Sequence, residues 1–399
     1  MMFRTLARLT FRLLAVLLAL AAAAAAWDVC TYDAEAWRRD YEHLKSELAK
    51  GYANLDWIAE NRRLDLPALD RDTEAAILGA HSRVFAFLAL RRFIRAFGDP
   101  HLRFVPGDRA AFAATPLASD GNRPLEPTLT SLDGAGYERD DYAFRVPFHR
   151  LPGWTPLTQA PFAAGMVQDL GVLRIASFGE DRYLETAERA FVSGMTKRDL
   201  QLAVRALLQQ QLRETLRQLS VRGVRRLLVD VTGNGGGTEW VTEVVALFTD
   251  RELTRRATRL LASGVDRRGV WSGQPVPSVL LPEDQPQRLR GTGEWTGPLF
   301  VLVDQNTGSA AEDFVVWLDE NEVATVLGSR TAGAGGGYVD GGGRIRLTTC
   351  PFDVKAPNCA RFLADGSNEI AGIAPDTVLP MTTASEDELM RALVAALAR

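Results

Sequence analysis

Lysine is almost missing from this sequence, occurring only at Lys45, Lys50, Lys197 and Lys355. Any chemistry built on a lysine amine therefore has four places to look. Histidine is equally rare, at His43, His81, His101 and His149. Positive charge is not in excess: 46 Lys and Arg stand against 50 Asp and Glu, for a net charge of −4. That excludes the electrostatic footprint of a nucleic-acid binder. The longest apolar run, Leu13 to Ala26, falls short of the roughly 20 residues that span a bilayer. There are only 3 cysteines, and no histidine or further cysteine stands near Cys350 and Cys359 to complete a zinc set. No metal and no cofactor is expected.

What is present starts at the N-terminus. Arg4, Arg8 and Arg12 precede the apolar run, and small residues close it before Trp27 and Asp28. A basic region, an apolar region and small residues make a secretory signal peptide over 1–26. The expected location is periplasmic or secreted, with membrane attachment only if that segment stays uncleaved. Cys350 and Cys359 flank the turn-rich stretch PFDVKAPN and are expected to form a local disulfide in such a compartment. Cys30 is left over.

At 399 residues the chain has room for two domains. Trp37, Tyr41, Leu44 and Leu48 recur at helical spacing, and a second helical run extends from Glu74 to Phe97. A helical domain over 27–98 follows from this pattern. Gly98-Asp-Pro-His-Leu-Arg-Phe104 then breaks the helix and enters an extended segment, with His101 at the junction. His43 and His81 sit inside helical periodicity, and His149 has no evident partner. Residues 99–165 read as an irregular β-rich connector, with weak strands near Tyr142 to Phe148. The rest, 166–399, alternates strands and helices as an α/β core does.

Two stretches of that core carry chemistry. Arg226 to Val231 is a continuous apolar strand that runs into Thr232-Gly-Asn-Gly-Gly-Gly237 and then a helix. The loop lacks the lysine and hydroxyl of a phosphate loop and the spacing of a dinucleotide fingerprint. Its backbone N–H groups are suited to an oxyanion. Leu299 to Val303 is a second buried strand, followed by a polar turn and a helix opening at Ser309. A serine there can be a nucleophile. Ser309-Ala-Ala-Glu312 also fits a capping box, and the local pattern leaves both readings open.

Six segments in one order, GDPHLRF, GVLRIASF, LLVDVTGNGGG, PLFVLVDQNTGSAAEDF, VLGSRTAGAGGG and EIAGIAPD, resemble the tail-specific (C-terminal processing) serine proteases. The likeness covers roughly 33–380 and is nearest to the tricorn-core branch. It implies an α/β, crotonase-like core of repeated β-β-α units behind a small helical N-terminal domain. A Ser–Lys mechanism would place lysine at about Ala334, so the implied set is Ser309 as nucleophile, His101 as base and Glu369 as the carboxylate that orients it. Serine is a poor nucleophile until an imidazole held by a carboxylate takes its proton. The resemblance also assigns the oxyanion hole to Gly235, Gly236, Gly237 and Ala310. Pro100 stands where the tricorn-like site has a further serine, and 105–165 lacks the strands of a PDZ domain.

The expected activity is that of a serine peptidase acting on peptides or proteins through an acyl-enzyme. The competing expectation is a non-catalytic binding protein for an apolar ligand or peptide on the same fold.

Overall fold

The computed structural model describes residues 27–107, 128–262, 264–339 and 341–398, so the expected signal segment lies outside the described residues. The described chain divides into two compact units. One contains 27–107 together with Leu261–Leu280 and Tyr338–Cys359. The other contains 128–260, Leu281–Gly337 and 360–398.

The first unit starts with four helices, Ala34–Gly51, Leu55–Asn61, Leu66–Leu78 and Arg83–Ala96. Asp33, Asp65 and Ser82 each cap a helix by accepting a first-turn N–H, at 3.1, 2.8 and 3.4 Å. The expected single run from Glu74 to Phe97 is therefore two helices. The chain stops at Gly79 and restarts behind the Ser82 cap, a break that apolar spacing alone does not show. The apolar stripes meet through Tyr41 edge-on to Phe93, ring centroids 5.1 Å apart. Arg267 ties in the 261–280 segment by donating to the carbonyls of Ala49 and Tyr52, each at 2.8 Å.

Three antiparallel strands, Arg103–Pro106, Phe352–Ala356 and Gly343–Ile345, complete this unit, with Phe352–Ala356 in the middle. Its apolar face turns Phe104 and Phe352 against Phe87 of the fourth helix. This sheet corrects the disulfide expectation. Cys350 and Cys359 are both buried, and the expected disulfide between them is not formed in this structure. The stretch between them contains a five-residue strand rather than a closed turn.

The second unit is built on a seven-stranded sheet. Its order is Thr377–Val378, Ala324–Gly328, Leu299–Val303, Arg226–Asp230, Leu170–Arg174, Ala164–Val167 and Thr155–Thr158. The first five are parallel and the last two antiparallel. The central strands are apolar on both faces because both faces are covered. Leu227, Val229 and Val301 face a core closed by the 25-residue helix Lys197–Val221 and the helices Trp240–Val245 and Ala310–Asp319. Leu228 and Leu302 face a second core under the C-terminal helix Glu386–Leu397. Lys197–Val221 buries Leu200, Val204, Leu208, Leu212 and Leu216, one per helical turn, at about 1.5–3 kcal/mol each. The strands Thr155–Thr158 and Ala164–Val167 escape the sequence pattern because they are short and flanked by proline or glycine. The expected strand near Tyr142 to Phe148 is irregular instead, ending in a 3-10 turn at Phe148–Arg150.

Parallel strands end together. The glycine loop, the Ser309 turn and the 329–337 loop all leave from the C-terminal edge of adjacent strands, where α/β sheets place their ligands.

Candidate active site

The turn before Ser309 is knotted by its own side chains. Asp304 accepts the N–H groups of Asn306 at 3.0 Å and of Gly233 at 2.8 Å. Thr307 Oγ1 accepts the Asp304 N–H at 3.0 Å and lies 3.1 Å from the Val231 carbonyl. Gly308 N–H donates to the Asn234 carbonyl at 2.9 Å. The serine turn is thus fastened to the glycine loop of the neighbouring strand before the helix begins.

Ser309 sits at φ 56°, ψ −119°. This is the first central position of a type II′ turn, which normally requires glycine. A non-glycine residue held there costs on the order of 1–3 kcal/mol and marks a site over-determined by its surroundings. Ser309→Gly is accordingly expected to raise the urea unfolding midpoint of the protein while removing the hydroxyl; an unchanged or lower midpoint contradicts the strain.

The glycine loop meets Ser309 directly. A Cβ on Gly236 would fall 2.6 Å from Ser309 Cβ and 2.7 Å from Ala310 N, and Gly236 has φ +106°. Only glycine allows that approach. The loop takes its shape from Asn234, which is wholly buried. Its Nδ2 donates to the Ile175 carbonyl at 3.1 Å and its Oδ1 accepts the Gly236 N–H at 2.9 Å. Gly236 N–H is therefore committed within the loop and does not match the oxyanion role expected of it. Among the expected donors this leaves Gly235, Gly237 and Ala310, the last at the first position of its helix, where N–H groups lack intrahelical acceptors.

Glu312 has a larger place than a helix cap. Its wholly buried carboxylate accepts the N–H groups of Ser309 at 3.0 Å, Gly333 at 2.8 Å and Ala334 at 2.8 Å, and the Thr331 hydroxyl. Burial pushes this carboxyl up, while the hydroxyl and the backbone donors pull it down. The glutamate half of the capping box is formed, its carboxylate accepting the Ser309 N–H at 3.0 Å. Ala334, where a lysine activator would stand, is buried, and its methyl lies 3.6 Å from where a Cβ on Gly308 would be.

Glu369 is also wholly buried, beside Gly335, whose missing Cβ leaves room for its stem. Its carboxylate is paired with two arginines, Arg255 and Arg361, the latter at 2.9 Å. Both arginines also pair with Asp313 on the Ser309 helix. Arg361 Nη2 donates to the Ser309 carbonyl at 3.3 Å. Burial lowers the Arg255 pKa, and the Glu369 charge opposes that. Within its unit, Glu369 is the acidic end of a network clamped onto the serine turn. Sequence reading gave it a histidine to orient and missed both arginines.

His101 belongs to the other unit. Its N–H donates to Asp99 Oδ1 at 2.8 Å, and its carbonyl accepts the Tyr338 hydroxyl. The Tyr338 ring meets the imidazole edge-on, centroids 5.2 Å apart. Asp99 accepts the Tyr52 hydroxyl at 2.8 Å on its other oxygen, and burial pushes its carboxyl up. The break at Asp99-Pro100 is thus a built turn that fixes the histidine main chain.

The sequence profile of peptidase family S41 matches residues 169–378, which include the glycine loop, the serine turn and Glu369. No curated protein sequence matches the chain. Among solved structures, a peptidase described as putative from Parabacteroides merdae is 16% identical, with a TM-score of 0.55, over 91% of this chain and 96% of that one. Mature CPAF complexed with lactacystin is 13% identical, with a TM-score of 0.60, over 91% of this chain and 97% of that one. At such identities these two show a shared fold. The profile match covers more than half of the residues, and the chain belongs to peptidase family S41, the tail-specific serine peptidases.

Proposed function

We propose that this protein cleaves peptide bonds in peptides or proteins through an acyl-enzyme on Ser309. The observation that carries the proposal is the backbone of Ser309, held in a glycine-like conformation between a knotted turn and the Gly236 contact. Such strain is kept where a side chain has to be presented. His101 takes the serine proton in this reading, as in the Ser-His-Glu branch, and Glu369 supplies the carboxylate of the set. Gly235 or Gly237 with Ala310 would bind the oxyanion, since backbone donors there need no reorganisation as charge develops. A lysine-activated mechanism is disfavoured by alanine at 334. The crotonase-like arrangement and the helical N-terminal domain belong to the same reading. So does export to the periplasm or beyond after loss of 1–26.

A fluorophosphonate probe is expected to label the purified protein, and Ser309→Ala to abolish labelling. Labelling that survives this substitution sinks the assignment. Absence of labelling, with an apolar ligand co-purifying, favours the binding protein.

A further inference from the structure

The three-stranded sheet of the His101 unit places three cations in one row. Arg103 pairs in register with Lys355, and Lys355 with Arg344 on the opposite neighbour. The adjacent row on the other face is Phe104, Val354 and Ile345, the apolar side that packs on Phe87. The cations therefore share the outward face, where Arg103 and Arg344 are exposed and Lys355 half-buried. Like charges directly opposite each other destabilise a sheet. Among the described residues, the acidic partner in this row is Asp353, at 2.6 Å from Arg344. Lys355 Nζ instead stands 3.7 Å above the Tyr338 ring, whose hydroxyl donates to the His101 carbonyl. Burial and the two flanking arginines lower the lysine pKa.

We propose that this row is a substrate-recognition surface for an acidic segment of a peptide. The inference rests on the peptidase reading and names the substrate class for it. Neighbouring strands lie about 4.8 Å apart, so three positions span roughly 10 Å. One carboxylate engages two of these cations at most, whereas a stretch with two or more acidic side chains matches the row. A run of acidic residues is therefore favoured over a lone terminal carboxylate.

The test uses full-length Ser309→Ala protein and a fluorescent 12-residue peptide containing four Asp or Glu, beside its Asn/Gln counterpart, each with a free or amidated C-terminus. The acidic peptide is expected to bind more tightly than the neutral one, amidated or not. Arg103→Gln with Lys355→Gln is expected to weaken it roughly tenfold, as two partly exposed ion pairs allow. Thermal unfolding checks that this double variant is folded. Arg103→Glu with Lys355→Glu is a second variant, expected to shift preference toward a Lys-rich peptide. Equal binding of acidic and neutral peptides, or binding unmoved by the double substitution, overturns the proposal. Selectivity that follows amidation rather than the acidic side chains overturns it too, in favour of a terminal carboxylate. Because binding is read without catalysis, a protein that labels with the fluorophosphonate but ignores acidity loses only this inference. One that binds acidic peptide but never labels loses the peptidase mechanism instead.

Discussion

Ser309→Ala is expected to lower kcat/KM for peptide hydrolysis by about 10⁴- to 10⁶-fold, the range found when an activated serine is removed from a triad. His101→Ala is expected to cost a comparable factor, because the hydroxyl without its base is nearly as inert as no hydroxyl at all. The informative arm is the double variant. Two residues that act as one device share a single loss, so the pair is expected to sit at the same floor as either alone. Independent roles would instead multiply the two factors. Hydrolysis of a labelled casein, with active-site titration of the wild type, distinguishes these outcomes. Near-wild-type activity in either single variant removes that residue from the mechanism. KM is expected to move little, because neither side chain is asked to hold the substrate ground state.

Glu312→Ala is expected to destabilise the second unit by on the order of 3–6 kcal/mol. The substitution leaves the N–H groups of Ser309, Gly333 and Ala334 and the Thr331 hydroxyl in a wholly buried space with no acceptor. Each stranded donor costs about 1–3 kcal/mol, and partial relaxation returns some of that. Glu312→Gln keeps one acceptor oxygen but turns an NH₂ toward other donors, so it is expected to recover only part. Urea unfolding followed by tryptophan fluorescence measures both variants. A loss below about 1 kcal/mol for Glu312→Ala would show that water replaces the carboxylate, and the clamp would then be incidental. Activity is expected to fall alongside stability, since the same carboxylate holds the Ser309 N–H and the 331–334 loop.

The sequence shows the parts of this protein that repeat. Leu200 through Leu216 and the runs Leu227–Val229 and Leu299–Val303 are visible because periodic burial leaves a periodic pattern. The serine turn and the glycine loop are visible because only a few residue types tolerate such backbone. The connections between loops are not visible. Glu312 reads as a cap because Ser309-Ala-Ala-Glu312 has that spacing, and nothing local says that the same carboxylate reaches residues 331 to 334. Arg255 and Arg361 lie 114 and 8 positions from Glu369, and neither distance carries a signal. Two features were within reach. Asp304-Gln-Asn-Thr307 has the composition of a side-chain-closed turn, and Asn234 is the one functional side chain in a run of glycines.

The order in which the sheet of the His101 unit is assembled sets a clock on biosynthesis. Arg103–Pro106 pairs only with Phe352–Ala356, which leaves the ribosome about 245 residues later. At 5–20 residues per second the first strand waits roughly 10–50 s for its partner. Tyr338, whose hydroxyl the His101 carbonyl accepts, is made only shortly before that partner strand. On the proposed mechanism, the main chain of the base is therefore secured only after more than 230 further residues have been made, and activity is expected to follow that step.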